Sequence, residues 1–370
     1  MAIVGVPDRD ADLLYAAGYA CPDPLAWFQA RGKTFLMVND LELAGARSSA
    51  TVDAVLPLSR YFEKQKNRAA RFDLFVALAM ALREKGIRRV EVPHAFPAGG
   101  VDQLRSGGVR AVPVDDPFFP ARARKTAQEL RAIGAALRAT ETGLATAVLT
   151  LKASRVGRDG FLYLGNERLT SELVREKAER AMFAAGAAPE RSIVAGGAQG
   201  ADPHCPGSGP LVARRPIVLD FFPRHRATGY YGDLTRTVVK GRADGPTLRA
   251  FEAVSEAQRL AFKLVRHGAD AAGVHASLSK FFEAAGYPAR MGEKRREGFF
   301  HGTGHGIGLE LHEAPVVGRR PGRLEAGQVI TIEPGLYYRD LGGIRIEDVV
   351  LVTRDGCRRL SRFPVFLEIP

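Results

Sequence analysis

A stretch near the C-terminus that is rich in glycine and histidine reads His301-Gly-Thr-Gly-His305-Gly-Ile-Gly-Leu-Glu-Leu-His312-Glu. Its glycines make it a poor helix, so it is not the helical zinc-protease pattern HExxH, and they indicate instead a close approach of two backbones. A lone histidine is more often structural than catalytic, but the clustering of three favours a functional site. We assign the structural role to the scattered histidines, namely His94, His225, His267 and His275.

Four acids accompany this stretch. Glu333 and Glu347 lie in apolar, strand-like runs, where an unpaired charge is costly, and Asp220 and Asp233 lie on two strand-like runs upstream. Together with one imidazole they supply about four negative charges, which two divalent cations would neutralise. Without metal, the same buried acids would repel one another and be forced to protonate. The sequence therefore predicts a carboxylate-rich dinuclear metal site.

Side chains alternate faces along a strand, so residues two apart point the same way. Three of the acids thereby gain a polar neighbour, which could fix the orientation of a ligating carboxylate. The expected pairs are Thr331 with Glu333, Arg345 with Glu347, and Thr235 with Asp233.

Composition and charge indicate the general class of protein. The 370 residues are 46% hydrophobic and 25% charged, as in an ordinary globular protein, and no window approaches the length of a membrane span. The formal net charge of +12 comes mostly from scattered arginines, and the basic groups Arg122–Lys125 and Lys294–Arg296 are short and lack interleaved aromatics. Three distant cysteines indicate reduced thiols rather than a disulfide framework. A cytoplasmic enzyme that binds neither nucleic acid nor membrane is the expectation.

The pattern along the chain predicts two domains, 1–117 and 118–370. The first alternates strands with helices and reads as a small α/β domain. Its predicted elements are strands at Thr34–Val38, Arg89–Pro93 and Val109–Val114 and a helix at Phe72–Lys85.

After a turn-prone segment that contains Pro117, the second domain opens with a long amphipathic helix. Its other predicted helices precede or follow a strand pair, and its last 75 residues are mainly strands. The predicted elements are helices at Arg122–Leu151, Ser171–Ala185, Pro246–His267 and Val274–Ala285 and strands at Ile217–Phe222 and Asp233–Val239.

These motifs together resemble the pita-bread metallopeptidases, which include Xaa-Pro aminopeptidases, Xaa-Pro dipeptidases (prolidases) and methionine aminopeptidases. The resemblance covers about residues 120 to 370, and the first domain looks like the one that accompanies the proline-specific members and creatinase. It implies an α+β architecture, with a pita-bread catalytic domain preceded by a smaller α/β domain. The matching segments are Pro203-His204, the Asp220 strand, Asp233-Leu-Thr-Arg, His301 to Glu313, Glu333-Pro-Gly and Arg345-Ile-Glu347-Asp.

The resemblance implies a role for each site residue. Two divalent ions would be bridged by Asp233 and Glu347, with Asp220 holding one ion and His305 and Glu333 completing the other. Manganese is the first expectation for the metal, with cobalt, zinc or iron as alternatives. A water held by the pair would be the nucleophile, and Glu333 would carry its proton to the leaving amine. The implied catalytic residues are His204, His301, His312, Glu333 and Arg345, with His312 and His204 contacting the substrate and His301 shaping the proline pocket.

Two departures from the family pattern stand out. Asp233 follows Asp220 by thirteen residues, two more than is usual in the family. The family usually has the pattern Asp-x-Gly at the first acid, whereas here Asp220 is followed by Phe221-Phe222. An insertion of two residues preserves strand parity, so both acids can still face the site across a longer turn.

The leading hypothesis is an Xaa-Pro aminopeptidase that acts on small proline-containing peptides as a homodimer. The alternative is an Xaa-Pro dipeptidase. A creatinase-like hydrolase of non-peptide C–N bonds and a non-catalytic binding homologue are less favoured, because such relatives have lost metal ligands and this chain retains all five.

Overall fold

The computed structural model describes residues 1–63, 73–292 and 296–370. It divides into two compact units, Met1–Arg122 and Ala123–Pro370, with a short 3-10 helix at Pro120–Ala123 across the division. The division therefore falls a few residues beyond Pro117, the last residue of the first domain expected from the sequence.

The first unit is built from a four-stranded sheet, a parallel strand pair and short helices. The sheet has the order β1-β2-β3-β4, with β3 and β4 parallel and the other neighbours antiparallel, while β5 and β6 pair in parallel. The described elements are β1 Ala2–Gly5, α1 Ala11–Ala17, β2 Leu25–Ala30, β3 Lys33–Val38, α2 Leu43–Ser49, β4 Ala54–Pro57, α3 Ser59–Phe62, α4 Leu74–Glu84, β5 Arg89–Pro93, α5 Ala98–Ser106 and β6 Arg110–Val114.

The predicted strands and helix of this unit are confirmed. Helix α4 begins where the Asp73 carboxylate accepts a hydrogen bond from the backbone N–H of Phe75, at 2.8 Å. Its residues Leu78 and Leu82 are fully buried against the sheet residues Phe28 and Met37. Phe72, the first residue of the predicted helix, lies outside the described residues.

The second unit contains four long helices, α6 Ala127–Ala153, α7 Ser171–Ala184, α8 Gly245–Leu264 and α9 Ala271–Ala284, and a 3-10 helix at Gly197–Ala201. Its described strands are β7 Arg155–Val156, β8 Leu162–Leu164, β9 Glu167–Arg168, β10 Ala187–Ala188, β11 Ile193–Gly196, β12 Pro216–Phe221, β13 Arg224–His225, β14 Leu234–Lys240, β15 Arg290–Met291, β16 Arg296–Glu297, β17 Gly304–Gly306, β18 Glu313–Val317, β19 Val329–Ile332, β20 Gly335–Tyr338, β21 Gly342–Arg345, β22 Asp348–Val352, β23 Cys357–Arg359 and β24 Glu368–Ile369.

The four helices confirm the predicted helices with one correction. The first was expected to begin at Arg122, but Arg122 belongs to the 3-10 helix and α6 begins at Ala127. The physical reason is a capping box, in which the Thr126 side chain accepts from the N–H of Glu129 and the Glu129 side chain accepts from the N–H of Thr126. The strong helix start therefore lies after the basic group rather than within it.

The second unit contains two larger sheets. The first has the order β11-β12-β14-β24 and packs with α6 and α7, while the second has the order β18-β17-β19-β22-β23 and packs with α8 and α9. A separate antiparallel pair, β20-β21, continues beyond β19 and β22. Each sheet thus buries one face under two helices.

Three remaining expectations concern composition. Among the described residues, no helix combines the length and apolar composition that a membrane crossing requires. Cys21, Cys205 and Cys357 are free thiols, as predicted. Lys294, in the second basic group, lies outside the described residues.

Candidate metal centre

The two aspartates share one face of the first sheet. Asp220, on β12, pairs with Thr235 of β14, and Phe221 pairs with Leu234. Asp233 precedes β14 by one residue and is two residues from Thr235, so strand alternation turns it to the same side as Asp220.

The longer turn between the aspartates is accommodated without a slip in register. Arg224–His225 forms its own short strand, which pairs with Ala187–Ala188. The His225 backbone N–H donates to Tyr230 O at 2.8 Å, which closes the turn on itself. The two extra residues therefore extend the hairpin beyond the site and leave the pairing of Asp220 unchanged.

The two glutamates lie at breaks in the second sheet. Glu333 falls between β19 and β20, and Glu347 falls between β21 and β22. Their backbones are held by residues of other segments: the Glu333 N–H donates to Thr303 O at 2.8 Å, and the Glu347 N–H donates to Thr235 O at 3.0 Å. The second of these bonds joins the two sheets where their acids meet.

The glycine-rich stretch brings His305 against the same strands. A Cβ on Gly304 would lie 1.9 Å from Thr331 O, and a Cβ on Gly306 would lie 2.3 Å from Ala314 O. Only glycine fits such an approach, as the sequence indicated. The His305 N–H donates to the Thr331 hydroxyl at 3.1 Å, which fixes the histidine beside β19.

The side chains converge into one cluster. His305 Nε2 lies 3.7 Å from Asp233 Oδ2 and 3.6 Å from Glu333 Oε1. One possible ligand atom from each of Asp233, His305 and Glu347 lies within 4.8 Å of the others. Asp220 is close enough to raise the pKa of both Asp233 and Glu347. All five predicted ligands therefore lie together, although their roles as ligands stay a prediction.

The acids repel one another in the absence of a cation. Burial, followed by the neighbouring Glu347 carboxylate, raises the pKa of both Asp233 and Glu333 well above the ordinary range. Burial and the Asp220 carboxylate raise the pKa of Glu347 to about 7. Burial lowers the pKa of His305 to about 4, so its imidazole is neutral at pH 7 and keeps a lone pair for a metal.

The donor set fits divalent cations. Asp220 Oδ1 is buried and has no hydrogen-bond partner within the described part of the chain. A buried carboxylate oxygen without a donor is costly, and a cation would satisfy it. Four carboxylates and one neutral imidazole form an oxygen-rich set of the kind that binds divalent first-row metals.

The structure corrects the expected partners of two acids. Arg345 was expected beside Glu347, but its Nη2 donates to Asp220 Oδ2 at 2.6 Å. Thr235 was expected beside Asp233, but its hydroxyl donates to Glu347 Oε2 at 2.7 Å. The partners differ from those expected because the hydrogen bond from the Glu347 N–H to Thr235 O holds the two sheets side by side. Each acid therefore finds its partner on a neighbouring strand and not on its own.

The three predicted substrate-contacting histidines occupy different environments. His312 is exposed, and its ring lies 4.3 Å from that of His305, centroid to centroid, in an edge-to-face arrangement. His204 is exposed and near enough to lower the pKa of both His301 and His312, after the larger effect of burial. His301 is half-buried among aromatic rings, 5.3 Å from both Phe299 and Tyr337.

Sequence reasoning missed Tyr337. Its hydroxyl accepts from Arg345 Nη1 at 2.7 Å and lies 3.0 Å from His301 Nε2, so it joins the guanidinium to the imidazole. Burial raises the pKa of Tyr337 to about 12, which keeps this hydroxyl protonated. Strand parity could have found it, because Tyr337 is an even number of residues from Glu333.

The structure thus places a carboxylate-rich site between two sheets, each of which is covered by helices. The model of metallopeptidase family M24 matches residues 131–354, more than half of the chain, and the chain belongs to this family. The expected pita-bread metallopeptidase fold is thereby confirmed, as is the α+β class.

Two relatives with similar sequences are Xaa-Pro dipeptidases. The chain is 29% identical over 284 residues to an Xaa-Pro dipeptidase of Pyrococcus horikoshii, which covers 75% of this chain and 74% of that protein. A Pyrococcus furiosus Xaa-Pro dipeptidase is 35% identical, but the alignment spans only 46% of this chain and 47% of that protein.

The solved structures match over nearly the whole chain. A prolidase from Pyrococcus furiosus superposes with a TM-score of 0.78 at 25% identity, covering 98% of this chain and 95% of that one. An X-Pro aminopeptidase from Thermotoga maritima superposes with a TM-score of 0.82 at 22% identity, covering 100% and 97%, and shares the fold.

Proposed function

We propose that this chain is a metal-dependent exopeptidase that hydrolyses the bond between an N-terminal residue and proline. The observation that carries the proposal is the convergence of three buried carboxylates and the partly buried Glu333 around the neutral His305, within a chain of metallopeptidase family M24. The substrate class rests on the relatives, whose names are Xaa-Pro dipeptidase and X-Pro aminopeptidase.

In this proposal two divalent cations are held by Asp220, Asp233, His305, Glu333 and Glu347. Bound cations of this kind polarise a carbonyl and lower the pKa of water from about 15.7 toward about 7, which provides a nucleophile at neutral pH. Manganese is our first choice, because an oxygen-rich set with one imidazole suits it, with cobalt, zinc and iron as alternatives.

Glu333 is the proton carrier of the proposed mechanism. Its side chain is 19% exposed, against 6% for Asp233, so it is the more accessible of the two acids that flank His305. With cations bound, the ionised Glu333 carboxylate would accept a proton from the attacking water and release it to the leaving amine. The deeper acids serve as ligands only.

His312 and His204 face the substrate. Both are exposed, and the ring of His312 packs edge-on against that of His305. A donor beside the reacting carbonyl stabilises the oxyanion that forms in the transition state. We assign that contact to His312 and a supporting contact to His204.

His301 and Arg345 shape the site rather than exchange protons. His301 Nδ1 lies 2.7 Å from Gly302 O and must donate to it, so Nε2 accepts from the Tyr337 hydroxyl. Burial lowers the pKa of His301 to about 3, so the ring is neutral. A neutral ring among aromatic side chains suits the apolar ring of proline. Arg345 orients Asp220 through its 2.6 Å hydrogen bond.

The test is a hydrolysis panel with the metal-free protein and with each metal restored. We expect Xaa-Pro-Yaa peptides to be cleaved much faster than Xaa-Ala-Yaa peptides, because proline lacks an amide hydrogen and needs a dedicated pocket. N-acetylated peptides should resist cleavage. Equal rates on proline and alanine substrates would remove the Xaa-Pro assignment.

The same panel decides between the aminopeptidase and the dipeptidase. We favour the aminopeptidase and expect tripeptides to be cleaved at least as well as Xaa-Pro dipeptides. A strict preference for dipeptides would make the chain a prolidase with the same mechanism.

Two further properties complete the proposal. We propose a homodimer, which light scattering of the purified protein would test. We also propose a cytoplasmic location, for which the three free cysteines are the support, since reduced thiols are typical of that compartment. Fractionation of the source cells would test it.

A further inference from the structure

Both glutamates of the site depend on interruptions of the second sheet. Strand β19 ends at Ile332 and β21 ends at Arg345, and pairing resumes at Gly335 and Asp348. Glu333 and Glu347 are therefore displayed from segments outside the regular ladder. Buried backbone groups at such breaks need partners from elsewhere, since an unpaired buried carbonyl costs free energy.

One side chain of helix α8 supplies those partners. Gln258 is buried, and its Nε2 lies 3.2 Å from both Ile332 O and Ile346 O. These two residues immediately precede Glu333 and Glu347 in the sequence. The same nitrogen lies 3.2 Å from Asp348 Oδ2. The carboxamide has two N–H groups for these three acceptors, so it can donate one to each carbonyl, because Asp348 also accepts from Arg236 and Ser361.

The rest of the same helix face is apolar. Val254, one turn before Gln258, and Ala261, almost one turn after it, are fully buried in the cluster that also contains Ile332 and Ile346. A lone amide in such a face is unfavourable unless its hydrogen bonds are made. Here they are made to the backbone on either side of the site, which a leucine or methionine could not do.

We propose that Gln258 is a positioning residue of the metal centre. By holding the carbonyls of Ile332 and Ile346, it fixes the spacing between the Glu333 and Glu347 carboxylates that must share two cations. The proposal deepens the proposed function and rests on it for the identity of the bound ions. Residues that orient metal ligands through one intervening group typically contribute about 10- to 100-fold to metal affinity.

The experiment compares Gln258→Met with Val254→Ala. The first removes both donors at nearly constant volume, and the second opens a small cavity in the same face of α8 without touching either carbonyl. Apo-protein of each variant is titrated calorimetrically with Mn²⁺ at a temperature where all are folded by circular dichroism. We expect Gln258→Met to weaken Mn²⁺ binding about 10- to 100-fold, and Val254→Ala to bind as the wild type does.

Two further variants separate hydrogen bonding from volume. Gln258→Glu places acceptors against two carbonyls and should weaken Mn²⁺ binding more than Gln258→Met does. Gln258→Asn keeps the amide but places it one methylene short of its partners. It replaces Gln258→Met in the titration if the methionine variant fails to fold. Excess Mn²⁺ should restore the peptidase kcat of Gln258→Met with KM near that of the wild type.

Unchanged Mn²⁺ affinity in Gln258→Met, or an equal loss in Val254→Ala, would overturn the proposal. So would failure of every Gln258 variant to fold, because the residue would then belong to the fold and not to the site. The titration uses no peptide. If wild-type protein binds two Mn²⁺ ions but cleaves no Xaa-Pro substrate, the proposed function fails while the role of Gln258 stands or falls on its own data.

Discussion

Glu347 and Asp348 are neighbours in sequence, and both are buried, but Glu347 lies just before β22 while Asp348 is its first residue, and their side chains have different partners. Asp348 accepts from Arg236 Nη2 at 2.8 Å and from the Ser361 hydroxyl at 2.6 Å. Glu347 accepts from the Thr235 hydroxyl, and burial, followed by the Asp220 carboxylate, raises its pKa to about 7. Asp348 therefore has a cationic partner in direct contact, whereas the strongest charge acting on Glu347 is another carboxylate.

The difference separates an acid whose partners are supplied by the protein from an acid of the proposed metal centre. Arg236 places all five of its N–H donors, since besides Asp348 it binds the carbonyl oxygens of Thr235, Glu347, Phe363 and Pro364. The pair it forms with Asp348 is complete within the protein. In the proposed site, cations would complete the cluster around Glu347. Burial alone would not have distinguished these two residues.

The largest expected effect is that of Glu347→Ala, which removes one acid of the proposed metal centre. Because Glu347 is the proposed bridging ligand, the variant should lose metal occupancy and peptidase activity together, by roughly 10⁴-fold or more in kcat/KM. Metal content by mass spectrometry and initial rates measure both. Full occupancy with full activity would remove Glu347 from the site.

The next effect concerns His312, which touches the cluster without belonging to it. His312→Ala should leave two metals bound and lower kcat by roughly 10²- to 10⁴-fold, as expected for loss of a transition-state contact. His305→Ala is the matched comparison and should lose metal. If metal is lost from the first variant and kept by the second, the roles of the two histidines are reversed.

Asp348→Asn tests the buried ion pair between Asp348 and Arg236. It leaves the Arg236 guanidinium buried without its counter-charge, so the free energy of unfolding should fall by about 3 kcal/mol. Metal stoichiometry should remain two per chain. Urea denaturation and metal analysis of the same preparation check both expectations. An unchanged stability would mean that the carbonyl partners of Arg236 suffice without the carboxylate.

The elements and the convergence of the acids could be predicted from sequence. Apolar periodicity located α6 to α9, and the apolar runs around Glu333 and Glu347 indicated that neither acid is an ordinary surface residue. Glycine spacing indicated the close approach that the backbone at Gly304 shows. Local pattern was enough for these features because each depends on residues close together in the chain.

The partners of the acids could not be predicted in this way. Arg345 is two residues from Glu347 but bonds Asp220, because the two sheets meet at the site. Gln258 is one polar residue on a helix, and nothing in its local sequence distinguishes it from a surface position. Both assignments require knowing which strands lie beside each other, which is set by tertiary packing.

The smallest effect is the pH dependence of apo-protein stability, to which Glu347 should contribute with the sign opposite to that of a carboxylate whose pKa is lowered by a salt bridge. The pKa of Glu347 is raised from 4.5 in the unfolded chain to about 7 in the folded one. Between those values the folded state binds more protons than the unfolded state, so stability falls as pH rises through this window. We expect the chelated protein to lose about 1–3 kcal/mol between pH 5 and pH 7.5 by urea denaturation. Glu347→Gln should reduce that loss, because an amide does not ionise, and metal-loaded wild type should not show it, because the cations favour the ionised acids. A chelated wild type whose stability instead rises over this range would show that the acids of the cluster are not held under mutual repulsion, and that the contrast between Glu347 and Asp348 has another origin.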